Sequence, residues 1–130
     1  MAEEKNDEVK WKFETGGSVD SSPAVLDGVV YFGSYDKYFY AVDIKTVKEK
    51  WKFETEGDIW SYPAILDGVV YFGSCDNHLY ALDIKTGKEK WKFETGDWVV
   101  SSPAVSDGVV YFGSDDKPHI RGVFCLWNYG

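Results

Sequence analysis

Cysteine is scarce in this chain, and what there is does not organise it. Cys75 and Cys125 are the only two. Neither lies in a CxxC, and one pair cannot define a metal site or a disulfide framework. They are read as unpaired thiols. Long apolar runs are missing too. Residues 1–8, Met-Ala-Glu-Glu-Lys-Asn-Asp-Glu, are acidic. They are expected to form a flexible solvated tail, neither signal peptide nor membrane span. Positive charge is in deficit, with 14 Lys and Arg against 22 Asp and Glu, a net charge of −8. That argues against sequence-independent nucleic-acid binding and against docking on an anionic membrane. Finally, no segment sustains a 3.6-residue apolar period, so no helix is expected.

What the chain has is aromatic residues, 18% of the total, and a repeat. Trp-Lys-Phe-Glu-Thr occurs at Trp11, Trp51 and Trp91, a period of about 40 residues, as in a propeller blade or solenoid unit. Units one and two agree at roughly 28 of 40 positions. The repeats occupy residues 9–130, as units of about 11–50, 51–90 and 91–130, the last atypical after Lys117.

Four strands are expected per unit. Lys10–Thr15 alternates, with Trp11, Phe13 and Thr15 on one face, and reads as a half-exposed strand d. Ser21–Leu26 reads as strand a. Proline cannot donate to a ladder, so Pro23, Pro63 and Pro103 mark an edge strand or its beginning. Asp27-Gly28, Asp67-Gly68 and Asp107-Gly108 read as two-residue type I′ turns. Strand b, Val29–Ser34, is apolar on both faces, as between neighbouring sheets. Gly33, Gly73 and Gly113 mark bulges or close backbone approaches. Strand c is Tyr38–Asp43, and a hairpin at 44–48 returns the chain to Trp51.

The run Ala81-x-Asp83-x-x-Thr86-Gly87-x-x-x-Trp91, with its sister Ala41, Asp43, Thr46 and Trp51, resembles the tryptophan-docking motif of the pyrroloquinoline quinone (PQQ)-type β-propeller repeats. Ser-x-Pro-Ala and Asp-Gly-Val-Val-Tyr-Phe-Gly-Ser are similar to the same family's blade. The resemblance covers about residues 9–117. It implies an all-β fold of W-shaped, four-stranded antiparallel blades, three per chain. Each docking tryptophan, Trp11, Trp51 or Trp91, would pack between blades while Asp and Thr tie down the c–d turn. A large indole with one N–H donor suits a dry joint that offers a carbonyl. Val47 stands where Gly87 stands in the next unit. A β-branched residue is strained if that position is left-handed, so the first joint is expected to be looser or differently turned. In unit three, Pro118 to Val123 replaces the strand c pattern. Val123–Trp127 is read as that strand after a short insertion.

Three blades cannot close a ring, since propellers have four to eight. The expectation is a second copy of the chain. Strand Lys10–Thr15 of each subunit would complete blade three of the other, giving a six-bladed ring with two-fold symmetry.

The family includes quinone dehydrogenases, which place calcium, its carboxylate and amide ligands and an aspartate base beneath the cofactor. Those residues cannot be mapped here. Asp27, Asp67, Asp107, Asp43 and Asp83 recur from unit to unit and are read as scaffold, because catalysis needs an asymmetric constellation. His78 and His119 are read as exposed turn residues. No catalytic, metal or cofactor site is expected. The units differ between strands d and a, where Asp20, Asp58, Asp97, Trp60, Tyr62 and Trp98 form a possible binding face. Their alternative role is to fill gaps between blades. The turns at Tyr35, Cys75 and Asp115 are read as exposed variation. The expected role is a non-enzymatic scaffold or protein- or peptide-binding module, like the family's periplasmic and cell-surface scaffolds. One alternative is a quinone- or saccharide-binding propeller with Trp60 and Trp98 as stacking platforms. Another is a recently amplified or designed repeat with no selected ligand.

Overall fold

A computed structural model describes residues 9–20, 22–100, 102–114 and 122–127, the last stretch through its backbone alone. The acidic tail, residues 115–121 with His119, and the side chain of Cys125 lie outside the described residues.

The strands form three antiparallel sheets. In the first, β1 (Ala24–Leu26), β2 (Val29–Gly33), β3 (Tyr38–Asp43) and β4 (Glu49–Glu54) lie side by side in chain order. The second repeats this with β5 (Ala64–Leu66), β6 (Val69–Gly73), β7 (His78–Asp83) and β8 (Glu89–Glu94). The third holds β9 (Ala104–Ser106), β10 (Val109–Ser114) and β11 (Gly122–Trp127), in the order β11-β10-β9. No helix occurs among the described residues.

The local rules of the sequence account for most of this. β1, β5 and β9 each begin just after a proline and lie at a sheet edge, where a missing N–H costs nothing. They are shorter than the expected strand a, because pairing cannot start before that proline. Asp27 and Gly28 both have positive φ, 50° and 77°, the geometry of a type I′ hairpin. β2 and β6 are buried along their whole length, as apolar strands covered on both faces must be. A Cβ on Gly33 would lie 2.2 Å from Ile59 Cγ2, and one on Gly73 would lie 2.4 Å from Val99 Cγ1. These glycines therefore mark close approach between blades. The register shifts lie elsewhere, at Ala41/Val42 and Ala81/Leu82.

The cores lie between sheets. Tyr31, Phe39, Ala41 and Trp51 of blade one pack with Ile59, Val70, Phe72, Tyr80 and Leu82 at blade two. Tyr71, Leu79 and Ala81 of blade two pack with Val99, Val110 and Phe112 at blade three. A Ser–Thr link recurs at both joints and where residues 10–15 meet blade one, buried in the joints and part-buried at the first blade. The Ser34, Ser74 and Ser114 hydroxyls donate to Thr15, Thr55 and Thr95 at 3.2, 3.1 and 3.1 Å.

Two expectations need correcting. Lys10–Thr15 is not a strand, and Lys10 to Glu14 make no backbone hydrogen bond among the described residues. A strand needs a ladder partner, and none lies beside this one among the described residues. The segment is nonetheless held where a strand d belongs. Phe13 packs edge-on to Phe32 and Tyr40, as Phe53 does to Tyr80. Thr15 meets Ser34, and Gly16 N–H donates to Asp36 at 2.9 Å. His78, read as exposed, opens β7 with its side chain only 22% exposed. Its ring lies beside Tyr80, and its Nδ1 is 2.9 Å from the Asp76 carbonyl.

Candidate functional site

The c–d turns come first, because they set the joints. Asp83 Oδ1 accepts the N–H of Lys85 at 2.9 Å and of Thr86 at 3.0 Å, and Lys88 N–H donates to Thr86 Oγ1 at 3.2 Å. Asp43 accepts likewise from Lys45 and Thr46, at 2.9 Å each. These donors hold both carboxyls below their ordinary pKa, led by the Thr46 N–H at Asp43 and the Thr86 N–H at Asp83. The turn at 83–88 receives the indole of the preceding blade. Trp51 Nε1–H donates to the Ile84 carbonyl at 3.0 Å. A Cβ on Gly87 would lie 2.4 Å from Trp51 Cδ2. Buried Ala41 and Ala81 sit opposite Trp51 and Trp91 in the ladders, where a larger side chain would compete with the indole.

The turn at 43–48 has the same path. Val47 has φ +59° where Gly87 has +75°, and Val47 N–H still bonds Asp43 O at 2.8 Å. The turn is therefore kept and strained, not differently turned. A left-handed conformation costs a residue with a Cβ roughly 1–2 kcal/mol. The Val47 side chain also stands where an indole would lie. Trp11 is 39% exposed, against 9% for Trp51. Val47→Gly should accordingly stabilise the fold by about 1 kcal/mol. The check is a melting temperature raised by a few degrees with a blue-shifted tryptophan emission. An unchanged melting temperature would contradict the strain.

The two ends of the blade stack are open in complementary ways. At one end, the Lys10–Thr15 segment covers Val30, Phe32, Tyr40 and Val42 through Phe13. At the other, Tyr111 is 40% exposed, whereas its equivalents Tyr31 and Tyr71 are 5% and 0% exposed inside joints. Blade three has a strand c and no strand d among the described residues. Its register is informative. Tyr111 pairs with Cys125 as Tyr31 pairs with Ala41 and Tyr71 with Ala81. Cys125 thus holds the alanine position opposite an incoming tryptophan. Trp127 holds the position of Asp43 and Asp83.

At the b–c and d–a end of the blades, three rings form a row. Tyr35 and Trp60 lie 5.7 Å apart, and Trp60 and Trp98 lie 5.1 Å apart at 80°. The Tyr35 hydroxyl donates to Asp20 Oδ2 at 2.7 Å, which pushes its pKa up to about 12. Trp98 N–H donates to Asp97 Oδ1 at 2.7 Å. Burial, with Asp58, Asp76 and Asp97 nearby, pushes the Cys75 thiol up to about 12, the opposite direction from an activated cysteine. Tyr62 is exposed and its N–H bonds Ser102 Oγ at 3.1 Å, but its ring does not join the row. Sequence reading singled out Trp60 and Trp98 and passed over Tyr35, whose only signal was an aromatic where the other units have Cys75 and Asp115. It also missed the Ser–Thr links, though both residues recur in every unit.

Asp36 and Asp76 belong to the scaffold. Each carboxylate accepts from a tyrosine hydroxyl of the next strand, Tyr40 or Tyr80. Two clefts at the opposite end, about 500 and 380 Å³, are lined mainly by repeated turn residues such as Asp67, Asp83 and Lys85. Among the described residues, no three His, Cys, Asp or Glu side chains converge as a metal centre would need.

The model of a family described as outer membrane protein assembly factor BamB matches residues 2–61 and 57–123. Among solved structures, BamB from Moraxella catarrhalis is similar at 25% identity and a TM-score of 0.73, over 82% of this chain and 34% of that one. The quinohemoprotein alcohol dehydrogenase ADHIIG from Pseudomonas putida HK5 is similar at 26% identity and 0.71, over 82% and 18%. The computationally designed Ika4 protein shares the fold at 20% identity and 0.71, over 82% and 64%. The chain thus spans about a third of the BamB chain and under a fifth of the dehydrogenase. No curated protein matches the sequence significantly.

Proposed function

The chain belongs to the PQQ-like repeat family described as outer membrane protein assembly factor BamB, and from that premise we propose that it is a non-enzymatic propeller scaffold and interaction module that closes its ring by pairing with a second copy. The observation that carries this is the match between its two ends. One end holds a segment at the strand d position without a ladder partner among the described residues, and the other a blade without a strand d among them. The two end faces also correspond. Tyr111 stands where Tyr31 and Tyr71 enter a joint, and the Phe32–Tyr40 face stands where Phe72–Tyr80 receives one. Two such end-to-end contacts related by a two-fold axis close a ring and leave no open edge.

The register of the exchanged strand follows from the two complete blades. Ala41 and Ala81 face Trp51 and Trp91, while Phe39 and Leu79 face Phe53 and Phe93. By the same rule, Trp11 of one subunit lies opposite Cys125 of the other, and Phe13 opposite Val123. Paired Cα atoms in an antiparallel ladder are about 4.5–5.5 Å apart, within reach of a disulfide. Trp11→Cys in a Cys75→Ser background should therefore give a covalent dimer with Cys125 under mild oxidation. Lys12→Cys, one residue out of register and on the opposite face, should not. Equal cross-linking by both, or none by Trp11→Cys, counts against the exchange.

Support for a non-enzymatic role is the recurrence of the acidic residues. Asp27, Asp67, Asp43 and Asp83 repeat in hairpins, and Asp36 and Asp76 are spent on tyrosines. A quinone- or saccharide-binding role draws on the similarity to the dehydrogenase and on the Trp60–Trp98 pair. Quenching of tryptophan fluorescence by a quinone or a saccharide would favour it.

A further inference from the structure

The aromatic row is not required by the scaffold. Where unit two has Trp60, units one and three have Asp20 and Val100. Where unit three has Trp98, units one and two have Ser18 and Asp58. The blades form alike with each of these residues. Trp98 is 43% exposed. It meets Trp60 at 80°, and two rings near a right angle make a corner in which a flat group can lie on one face and touch the other. The buried indole N–H of Trp60 finds no acceptor among the described residues.

Among the described residues, the charge given beside the corner is acidic. Asp20 holds the Tyr35 hydroxyl at one end of the row. Asp97 adjoins Trp98, and Asp58 lies near enough to act on both Tyr35 and Cys75. None of Asp20, Asp58 and Asp97 makes an ion pair among the described residues. The exposed Trp98 ring, beside carboxylates that make no ion pair among the described residues, favours a cation that can both stack and hydrogen-bond. A guanidinium does both, because it is planar, weakly hydrated and presents a fork of donors to a carboxylate. A lysine ammonium is a hydrated point charge and uses only part of such a surface.

We propose that the corner formed by Tyr35, Trp60 and Trp98, with Asp58 and Asp97 beside it, binds the arginine side chains of a peptide partner. The proposal rests on the interaction-module reading and gives that module its ligand chemistry. All of these residues come from one chain, so the site exists in a subunit whether or not the ring closes.

The test is a fluorescence titration with an N-acetylated, C-amidated Gly-Arg-Gly-Arg-Gly peptide, in parallel with its lysine and glutamate counterparts. The arginine peptide should change tryptophan emission saturably. The lysine peptide should bind at least about threefold more weakly, and the glutamate peptide not measurably. Trp98→Ala should weaken arginine-peptide binding by about fivefold or more. Asp58→Asn with Asp97→Asn should weaken it while leaving the rings in place, and raised salt should do the same. Each variant is checked for native circular dichroism. No saturable change with the arginine peptide overturns the proposal, as does undiminished affinity in Trp98→Ala, or equal binding of the glutamate peptide. The mass of each sample, measured alongside, reports separately on ring closure.

Discussion

Gly87→Val should destabilise the protein by about 3–5 kcal/mol, a large fraction of the roughly 5–15 kcal/mol that holds a domain of this size folded. Two costs combine. The backbone at Gly87 has φ +75°, where a β-branched residue is strained. The new Cβ would also lie 2.4 Å from Trp51 Cδ2, a distance no relaxed contact adopts, so the indole must leave. Leaving exposes a side chain that is now 9% exposed and breaks its 3.0 Å hydrogen bond to Ile84 O. The chain contains its own control. Val47 occupies the equivalent left-handed position in the first joint, and there the tryptophan that would pack on it, Trp11, stands exposed. Urea denaturation would measure the loss, and tryptophan emission should shift to the red in the folded variant. A cost below about 1 kcal/mol would mean that the Trp51–Gly87 contact contributes little.

Removing residues 1–15 should abolish pairing between subunits. In the proposed exchange this strand would supply a backbone ladder along β11, the Trp11 indole opposite Cys125, and the Phe13 ring. Its loss should raise the dimer dissociation constant by at least about a thousandfold, a change of ~4 kcal/mol. Removing residues 1–8 alone should leave assembly intact. Truncation to residue 15 also uncovers Phe32 and Tyr40, which Phe13 packs against, so a second variant separates pairing from solubility. Phe13→Ala keeps the whole backbone and should weaken the dimer by an intermediate amount. A truncated chain that pairs as tightly as the full one would rule out this strand as the closing element.

Much of the fold was legible in the sequence because its determinants are local. Asp-Gly fixes a turn by its own φ angles, proline fixes where a ladder can start, and an unbroken apolar run such as Val29–Phe32 declares burial on both faces. The family resemblance added how such sheets are joined. Partnership was less legible. Lys10–Thr15 has the alternation of a strand and is not one, because a ladder depends on a neighbour that local pattern cannot reveal. His78 reads as a turn residue, yet it packs beside Tyr80, one strand position away from solvent. The Ser34–Thr15 type of link joins residues about 19 positions apart in chain, so no local motif exposes it. At the loop face, Trp60 and Trp98 stood out by differing from their equivalents. Tyr35 did not, because its place in the row depends on how the b–c turn of one blade meets the d–a loop of the next.

The central claim is that this chain is half of a ring. Its most direct test is the mass of the full chain in solution by sedimentation equilibrium at micromolar concentration, beside a circular dichroism spectrum that confirms β structure. The account predicts twice the 14.8 kDa of one chain, falling to the single-chain value when residues 1–15 are removed. A folded, monodisperse species of 14.8 kDa at that concentration would contradict it.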